Sequence, residues 1–292
     1  MNILLTGASG FIGQNLADAL TAAGHDVVPI SRRDGVDFST MQTADRWLPR
    51  LRDVDAVINA VGIIGETGSQ RFRVLHAAAP TALFDACLGA GVARVIQISA
   101  LGADDSAFSS YHQSKKAADD HLRQLELDWF VLRPSLIFGR GGTSAATLLR
   151  LARLPVLPVI GDGRQMLQPV HVGDVVATVM ACLKAQDTRR TLDIVGSETV
   201  AYVEWLQRLR LAQGRNRALV LCTPVRLAML GAWLGQGLNP MLRPENIRML
   251  VKGNHGDGTA WHEFLGRRAI AFSPALLHAD AQQALALIGA QS

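Results

Sequence analysis

The spacing of apolar residues changes twice near the start of the chain. An apolar run at 2–5 is followed by apolar residues that recur at helical spacing from Ile12 to Ala23, where Gly24 ends the pattern. A second apolar run follows at 27–30. A strand, a helix and a strand in such close succession predict a βαβ unit.

The same alternation continues along the chain. Further strand candidates lie at 56–59, 94–98, 129–132 and 192–195, and helical stretches lie near 42–51, 70–90, 110–125 and 175–183. Strands that alternate with helices predict an α/β fold with a Rossmann-type, doubly wound parallel sheet, to which a short segment at 170–172 returns. Because ligands bind such sheets at the carboxyl ends of the strands, we expect the functional residues there.

The pattern loses its regularity beyond residue 132, where Gly and Pro become frequent. This change predicts two units. Residues 1–137 and 168–195 would form a dinucleotide-binding Rossmann domain, and residues 138–167 and 196–292 would form a smaller lobe for a substrate or a partner.

Composition narrows the class of protein. Only 18% of the 292 residues are charged and 49% are hydrophobic, which is typical of a folded globular chain. The net charge of +4 comes from scattered arginines, so nucleic acid is not the expected partner. Cys87, Cys182 and Cys222 lack metal-ligand spacing, and we expect buried thiols and no metal site. Since the first residues lack the features of a secretion signal, we expect a cytoplasmic protein.

One apolar stretch, 219–238, raises the question of a membrane. Pro224, Arg226, Gly231 and Gly235 interrupt it, so it is too broken for a spanning helix. A core helix of the smaller lobe is the favoured interpretation, while a helix that meets a membrane surface or a protein partner remains open. The oligomeric state cannot be inferred from the sequence.

A glycine-rich segment, TGASGFIG, joins the first strand to the first helix. It places Gly7, Gly10 and Gly13 where the backbone can approach a pyrophosphate, next to the positive end of a helix. Within a βαβ unit this arrangement predicts dinucleotide binding. The spacing is Gly-x-x-Gly-x-x-Gly rather than the Gly-x-Gly-x-x-Gly of the dehydrogenase fingerprint.

The end of the second strand indicates which dinucleotide is bound. An Asp or Glu at that position would hold the 2′-hydroxyl of the adenosine ribose, but the chain has Ser31, Arg32 and Arg33. Cations there suit a 2′-phosphate, so NADP(H) is favoured over NAD(H). The alternative is that both arginines are simply solvated.

Tyr111 and Lys115 lie four residues apart, on one face of a predicted helix. A tyrosine works as an acid or base near neutral pH only if a cation beside it favours the phenolate, and Lys115 could be that cation. Ser99 ends the preceding strand and could polarise a substrate carbonyl, although a hydrogen bond to the backbone is a competing interpretation.

Together these motifs resemble the short-chain dehydrogenase/reductase superfamily, in its extended and atypical branch of NAD-dependent epimerases and dehydratases. The resemblance covers about residues 1–215 and is carried by TGASGFIG, by the Tyr-x-x-x-Lys of YHQSK, by LRPSLIFG at 132–139 and by GDGRQMLQPVHVGDVV at 161–176. It implies a site in which Tyr111 is the acid/base.

The resemblance also implies a set of residues that bind the cofactor. Asp37 and Phe38 would lie beside the adenine, and Lys115 would hold the nicotinamide ribose. The full set is Gly7, Ser9, Gly10, Phe11, Ile12, Gly13, Ser31, Arg32, Arg33, Asp37, Phe38, Asn59, Ala60, Val61, Gly62, Lys115, Pro134 and Ser135. Asp174 matches a further family position but is more simply explained as a helix cap.

Within this branch the sequence is most similar to the nucleotide-binding accessory subunit of respiratory complex I and its bacterial relatives. Two hypotheses therefore stay open. The favoured one is an enzyme that moves a hydride, an oxidoreductase or a nucleotide-sugar epimerase or dehydratase, with an unknown small-molecule substrate. The alternative is a non-catalytic NADP(H)-binding module for structure or assembly. An intact Tyr111–Lys115 pair favours the enzyme, whereas Ala100, where epimerases carry a second Ser or Thr, favours the module.

Overall fold

The structure is a computed structural model that describes residues 1–235 and 243–289. Its strands are β1 (Asn2–Thr6), β2 (Asp26–Ile30), β3 (Ala56–Asn59), β4 (Arg94–Ile98), β5 (Asp128–Pro134), β6 (Ile137–Phe138), β7 (Val156–Ile160), β8 (Met166–Leu167), β9 (Val170–His171), β10 (Arg190–Ile194), β11 (Val200–Ala201) and β12 (Leu219–Thr223). Its α-helices are α1 (Phe11–Ala22), α2 (Ala44–Trp47), α3 (Ala79–Ala90), α4 (Ser110–Arg123), α5 (Thr143–Leu151), α6 (Val172–Lys184), α7 (Tyr202–Leu211), α8 (Val225–Gly235), α9 (Pro244–Lys252), α10 (Thr259–Leu265) and α11 (Ala281–Gly289).

In the described part of the chain, six parallel strands form the central sheet in the order β2, β1, β3, β4, β5, β10. This confirms the predicted α/β Rossmann class. The chain moves outward from β1 to β2 and then crosses back to β3, so the strand order reverses between β1 and β3. Ligands bind doubly wound sheets in the crevice at such a reversal.

The segment predicted at 170–172 does not return to this sheet, which is a correction to the sequence analysis. It forms β9, which pairs in parallel with the two-residue strand β6 and stays outside the central sheet. Five consecutive residues of β10, Arg190–Ile194, pair with β5, so β10 is the edge strand on this side of the sheet.

Alternation along β1 shows why the sheet is buried on both faces. Ile3 and Leu5 point into a cluster covered by α1 and α6, whereas Leu4 points into a second cluster with Trp47 and Phe84 under α2, α3 and α4. Successive side chains of a strand alternate between faces, and a parallel sheet with helices on both faces buries each of them.

A third apolar cluster lies in the irregular half of the chain, between α5, α7 and the segment after α10. Phe138, Trp205 and Phe272 form its aromatic centre, with ring centroids 4.9–5.8 Å apart and edge-to-face geometry. The predicted lobe therefore has apolar packing of its own, while its exact boundaries stay a prediction.

The segment after α9 also packs against the Rossmann helices. Trp261 is buried in the first cluster, where its indole N–H donates to Thr178 Oγ1 at 2.7 Å. Arg267 pairs with the fully buried Asp174 at 2.7 Å, and burial raises the pKa of that carboxyl. Part of the C-terminal third is thereby tied to α6.

Asp174 is not the helix cap that the sequence suggested. His171 precedes α6, and its Nδ1 accepts the hydrogen bond of Gly173 N–H at 3.0 Å. Asp174 lies one turn further on and accepts from Ile270 N–H at 2.9 Å. A buried carboxylate needs a charged partner, and Arg267 supplies it.

The stretch 219–238 is not the core helix that was favoured from the sequence. It forms β12 and α8, and its last residues, 236–238, lie outside the described residues. Ala232 is the only buried residue of α8. Cys222 on β12 is exposed, so the expectation of three buried thiols was wrong for this one and holds for Cys87 and Cys182. In the described ranges no helix is long and apolar enough to cross a membrane.

Candidate active site

The glycines of the first loop differ in what the fold demands of them. A Cβ on Gly13 would lie 2.1 Å from the carbonyl oxygen of Gly7, and Gly7 itself has φ +72° with the backbone of Ala60 only 2.8 Å from its Cβ position. Both positions therefore require glycine for internal packing. Gly10 has an ordinary φ of −81°, and the nearest atom to its Cβ position is Gly7 O at 3.2 Å. Close approach of a pyrophosphate is a better reason for glycine there.

Helix α1 begins directly behind this loop. Gly10 is its N-cap residue, and no side chain caps its first turn. The uncapped turn of a twelve-residue helix offers N–H donors and a positive dipole end to an anion. Ser9 accepts from the Gln14 side chain through its carbonyl oxygen at 3.2 Å. Phe11 packs against Gly142 of the smaller lobe, and Ile12 packs against the first apolar cluster.

The residues after β2 form a short turn. The Ser31 hydroxyl donates to Asp34 at 2.6 Å and accepts from Arg33 N–H at 3.2 Å. Arg32 and Arg33 are exposed, and neither forms an ion pair with a described residue. Both guanidinium groups are thus free to meet a ligand at the end of β2.

The side chains of Asp37 and Phe38 lie in different surroundings: Asp37 is exposed and Phe38 is buried. The Asp37 carboxylate accepts from Ser39 N–H at 2.9 Å, and hydrogen bonds from Ser39, with a smaller effect of Arg32, lower its pKa. Phe38 is buried against Trp47 at 5.4 Å, so its side chain belongs to the core. Of these two residues, only Asp37 has a side chain that a ligand could reach.

Asn59 lies at the carboxyl end of β3 with its side chain fully buried. Its Oδ1 accepts from Thr6 Oγ1 at 2.6 Å, and its Nδ2 donates to Gln97 Oε1 at 2.7 Å. These bonds join β1, β3 and β4 across the reversal point of the sheet. The Asn59 side chain is therefore structural, and a ligand would meet the backbone of the residues that follow.

Lys115 holds the loop from Ala60 to Ile63 in place. Its ammonium donates to Val61 O at 3.0 Å and to Ile98 O at 2.9 Å. A Cβ on Gly62 would lie 3.4 Å from the ammonium nitrogen. An ammonium has three N–H donors, so one is left for a ligand. Burial lowers the pKa of Lys115 to about 8, and Asp119 opposes the shift, so the group is mostly charged at neutral pH.

Tyr111 stands one turn before Lys115 on α4. Its ring is half-buried among Phe72, His76 and His112, with centroid distances of 5.1–5.9 Å. Its hydroxyl has no hydrogen-bond partner among the described residues. Tyr111 and Lys115 thus share a helix face next to the loop of Val61, as the spacing predicted.

The expected effect of the lysine on the tyrosine is not observed. Burial raises the pKa of Tyr111 to about 12, and the negative charge of Asp119 adds to the rise. Lys115 directs its ammonium to two backbone carbonyls, so its charge is engaged elsewhere. The phenol is consequently protonated at neutral pH.

The Ser99 hydroxyl donates to Asp119 Oδ2 in a short hydrogen bond that joins the end of β4 to α4. Burial raises the pKa of Asp119 to about 6, although Ser99 and Lys115 both oppose the rise. The sequence analysis missed Asp119. Its signal was present, because Tyr111, Lys115 and Asp119 follow one another at intervals of four residues.

His76 is a second residue that the sequence analysis missed. It lies in a π-helical segment, Arg73–Ala78, that leads into α3. Its Nε2 accepts from Ile63 N–H at 3.0 Å, which leaves Nδ1 to donate to Ser114 Oγ at 3.0 Å. Burial and the charge of Lys115 hold its pKa well below the usual range. A neutral imidazole thus fixes the loop from Ala60 to Ile63, and no periodicity in the sequence indicates His76.

Pro134 and Ser135 lie at the carboxyl end of β5. The Ser135 hydroxyl donates to Gln168 O at 2.5 Å, and Pro134 O accepts from Leu101 N–H at 3.0 Å. Both residues are buried at the end of the sheet where the other candidates lie. The described part of the chain holds no cluster of His, Cys, Asp and Glu that could bind a metal ion.

The site therefore has the parts of a dinucleotide-dependent short-chain dehydrogenase or epimerase. The chain belongs to the NAD dependent epimerase/dehydratase family, whose sequence profile matches residues 3–195. Membership confirms the resemblance found in the motifs, and nicotinamide dinucleotide dependence is a property of the family.

Several curated relatives are similar to the chain. The ceramide reductase of Caulobacter vibrioides is 32% identical over 191 residues, which are 61% of this chain and 60% of the relative. The human epimerase family protein SDR39U1 is 28% identical, over 79% of this chain and 87% of its own. The mouse mitochondrial NADH dehydrogenase [ubiquinone] 1 alpha subcomplex subunit 9 is 27% identical, over 62% of this chain and 52% of its own. The chain spans only about three fifths of the first relative and half of the last.

Solved structures agree on the fold. MoeE5 in complex with UDP-glucuronic acid and NAD has a TM-score of 0.72 at 22% identity, with 99% of this chain and 100% of that chain covered. UDP-glucuronic acid 4-epimerase from Bacillus cereus, in complex with UDP-glucuronic acid and NAD, has a TM-score of 0.73 at 17% identity. The match covers 98% of this chain and 100% of that chain. At these identities the likeness concerns the fold alone.

The residues present fit a nicotinamide dinucleotide. Gly10 leaves space in front of an uncapped helix, and the loop after Asn59 lies across the crevice from it at the reversal of the sheet. Lys115 keeps one donor beside that loop.

Proposed function

We propose that the chain is an NADPH-dependent carbonyl reductase in which Tyr111 donates the proton and Lys115 holds the nicotinamide ribose. The observation that carries the proposal is the Tyr111 hydroxyl. It is unpartnered among the described residues and shares a helix face with a buried ammonium. A polar group left without a partner beside a cofactor loop is suited to meet a substrate oxygen.

The protonation state of Tyr111 favours reduction over oxidation. With its pKa raised to about 12, the phenol carries a proton at neutral pH and can give it to a carbonyl oxygen. NADPH, when bound, supplies the hydride to the carbonyl carbon, so that the C=O bond becomes CH–OH. Tyr111 is left as a phenolate, which then takes up a proton from solvent.

The relatives support a reductase more directly than an epimerase. The Caulobacter protein is a reductase by name, and it is 32% identical to this chain over 191 residues, 61% of its length. Sugar-nucleotide epimerases bind a diphosphate, for which Arg164 is a poor candidate because its side chain is 85% exposed and lies near Asp162. An apolar, long-chain ketone is therefore the first substrate class to examine.

The choice of NADPH rests on the turn after β2. Arg32 and Arg33 are exposed and unpaired there, and the carboxylate of Asp34 is bonded to Ser31. Replacing both arginines, R32A with R33A, should weaken NADPH binding about tenfold or more, the loss of one charge-assisted contact. NADH binding should change by less than about twofold, because it has no 2′-phosphate. Titration of both dinucleotides, with Arg215→Ala as an exposed control, measures this; equal losses for NADH and NADPH would contradict it.

The reductase is tested with Tyr111→Phe, which deletes one oxygen and keeps the ring. Long-chain ketones and sugar nucleotides are screened with NADPH, by loss of its absorbance and by analysis of the products. Turnover of the substrate so found should fall by about 10²–10⁴, the usual contribution of a positioned acid. Dinucleotide affinity should change by less than about threefold, since the hydroxyl is not part of the cofactor loop.

The chain offers a matched control for this substitution. Tyr202, the only other tyrosine, is buried in the third apolar cluster away from the site. Tyr202→Phe should keep the turnover of the wild type. If Tyr111→Phe and Tyr202→Phe turn over equally fast, Tyr111 is not the acid.

A second candidate function is a dinucleotide-binding module without catalysis. The Ser99 hydroxyl donates its one O–H to Asp119, which leaves no donor for a substrate carbonyl, and Ala100 has no hydroxyl to replace it. The similarity to the mouse NADH dehydrogenase subunit points the same way. If no carbonyl compound or sugar nucleotide reacts while NADPH raises the melting temperature strongly, this candidate replaces the reductase.

A further inference from the structure

Helix α8 is apolar but does little to build the core. Ala232 is its only buried residue. Leu227, Leu230, Trp233 and Leu234 are 52–68% exposed. Leu227, Leu230 and Leu234 follow a helical spacing of three and four residues, so they share one face, with Trp233 beside it. These four side chains are called the α8 face below.

The strand that precedes α8 extends the exposed apolar stretch. Leu219 and Leu221 of β12 are 79% and 59% exposed. Large exposed aliphatic and aromatic side chains occur singly on many proteins, but seven of them within residues 219–234 indicate an interaction surface. The fold alone gives no reason for these residues.

The stretch that contains β12 and α8 carries charges of one sign. No Asp or Glu occurs between Glu204 and Glu245 in the sequence. Arg226 is exposed four residues before Leu230, on the same side of α8, and it forms no ion pair with a described residue. Arg215, also exposed, precedes β12. The stretch is therefore apolar, and Arg226 is an exposed cation on the side of α8 that carries Leu230.

We propose that the α8 face docks on the surface of an anionic lipid bilayer. Trp233 and the leucines would enter the boundary between head groups and acyl chains, while Arg226 would meet the lipid phosphates. The described part of the helix, Val225–Gly235, has eleven residues, a length that suits a helix lying in the interface. Leucine and tryptophan on one side with arginine at the border is the composition that interfacial helices use.

Charge complementarity favours lipid over a second copy of the chain. Two α8 faces packed together would bring the unpaired Arg226 of each copy into the same apolar interface, and this stretch has no carboxylate to compensate them. An unpaired buried charge is costly, whereas anionic head groups supply the missing negative charge.

The α8 face is also connected to the candidate active site. Helix α8 packs against α9, whose Glu245 accepts from Ser110 N–H at the start of α4. At the other end of α9, Lys252 donates to Ser106 O at 3.2 Å and lies over the Phe108 ring at 5.0 Å. Docking would thus place the helix that carries Tyr111 close to the lipid surface, although the docking itself does not depend on the proposed reductase activity.

The test is sedimentation of the full chain with vesicles. One set contains phosphatidylcholine alone, and the other also contains about 30% phosphatidylglycerol. We expect about tenfold tighter binding to the anionic vesicles, reduced by salt. The double variant L230S with W233S should bind about tenfold or more weakly, and Arg226→Ala about fivefold more weakly, whereas Arg226→Lys should keep the affinity.

A matched control separates this surface from exposed apolar residues in general. Leu88 on α3 is 44% exposed, and Leu88→Ser should bind vesicles as the wild type does. Because the replaced side chains are exposed, the melting temperatures of all variants should stay near that of the wild type. Failure of the wild type to sediment with anionic vesicles would overturn the proposal, as would equal binding by the double variant. A dimer that W233S dissociates, without vesicle binding, would assign the α8 face to a second copy instead.

Discussion

Helices α4 and α8 have opposite relations between polarity and burial. Helix α4 buries His112, Lys115 and Asp119, whereas α8 exposes leucines and Trp233 and buries only Ala232. Charged residues are almost never fully buried unless they are paired, and long apolar stretches are seldom left in water. Each helix therefore departs from what folding alone favours, and in opposite directions.

The difference shows two ways in which a chain prepares for a molecule outside itself. On α4 the buried charges are satisfied internally: Asp119 accepts from Ser99, and Lys115 donates to Val61 O and Ile98 O. Such groups are costly to desolvate and are kept where their position matters. On α8 the cost lies in exposed apolar surface, which a partner would cover. The polar groups of α4 are held in place by hydrogen bonds within the fold, whereas the apolar side chains of α8 have little to pack against in the described part of the chain.

The largest expected effect comes from removing the buried ammonium of α4. Lys115→Met should weaken dinucleotide binding about 10- to 100-fold, the contribution of one hydrogen bond from a charged group. The adjacent Lys116 is a matched control, because it points away from the site and pairs with Asp105 and Asp120 near the surface. Lys116→Met should bind the dinucleotide as the wild type does. Titration calorimetry of both variants measures the contrast, and equal losses would remove the special role of Lys115.

An intermediate effect concerns Asp119 and pH. Because its pKa is raised from 3.8 to about 6, the folded chain takes up this proton before the unfolded chain does. This group therefore adds stability as the pH falls through about 6, and the contribution is lost as the pH rises. Relative to Asp119→Asn, the free energy of unfolding of the wild type should increase on going from about pH 7 to about pH 5, by at most about 1.4 kcal/mol per pH unit.

Denaturant unfolding at several pH values measures this difference. Asp120→Asn is the control, since Asp120 is the next residue and lies at the surface with Lys116 and Arg123. Its profile should run parallel to that of the wild type between about pH 5 and pH 7. A parallel profile for Asp119→Asn as well would show that the buried carboxyl does not titrate in this range.

The smallest effect on the free energy of unfolding is expected on α8, because a docking surface contributes little to the packing of the fold. Leu230→Gln should change the free energy of unfolding by no more than about 0.5 kcal/mol, because about half of the residue is exposed and it belongs to no apolar cluster of the described residues. Leu206→Ala on α7, where the leucine is fully buried, should cost about 2–5 kcal/mol. If Leu230→Gln destabilised the chain as strongly as Leu206→Ala, the α8 face would be a packing surface of the fold and not a docking surface.

Much of the dinucleotide half could be predicted from the sequence. The central strands and the helices between them follow directly from apolar spacing, and the family of the chain follows from local motifs. Asp119 could also have been found, because it continues the spacing of Tyr111 and Lys115. His76 could not, because its role depends on a π-helical turn and on a loop thirteen residues away. The direction of the Ser99 hydroxyl was equally hidden, since β4 and α4 come together only in the fold.

By itself, the sequence determined the order of strands and helices, the glycines of the first loop and the face that Tyr111 and Lys115 share. These depend on residues close together in the chain, where backbone geometry fixes which side chains are neighbours. Only the tertiary structure decided that Lys115 serves the loop at Val61, that Asp119 takes the Ser99 hydroxyl, and that α8 stays outside the core. Those outcomes depend on which surfaces meet, and the competition for burial between distant segments is settled only when the whole chain is packed.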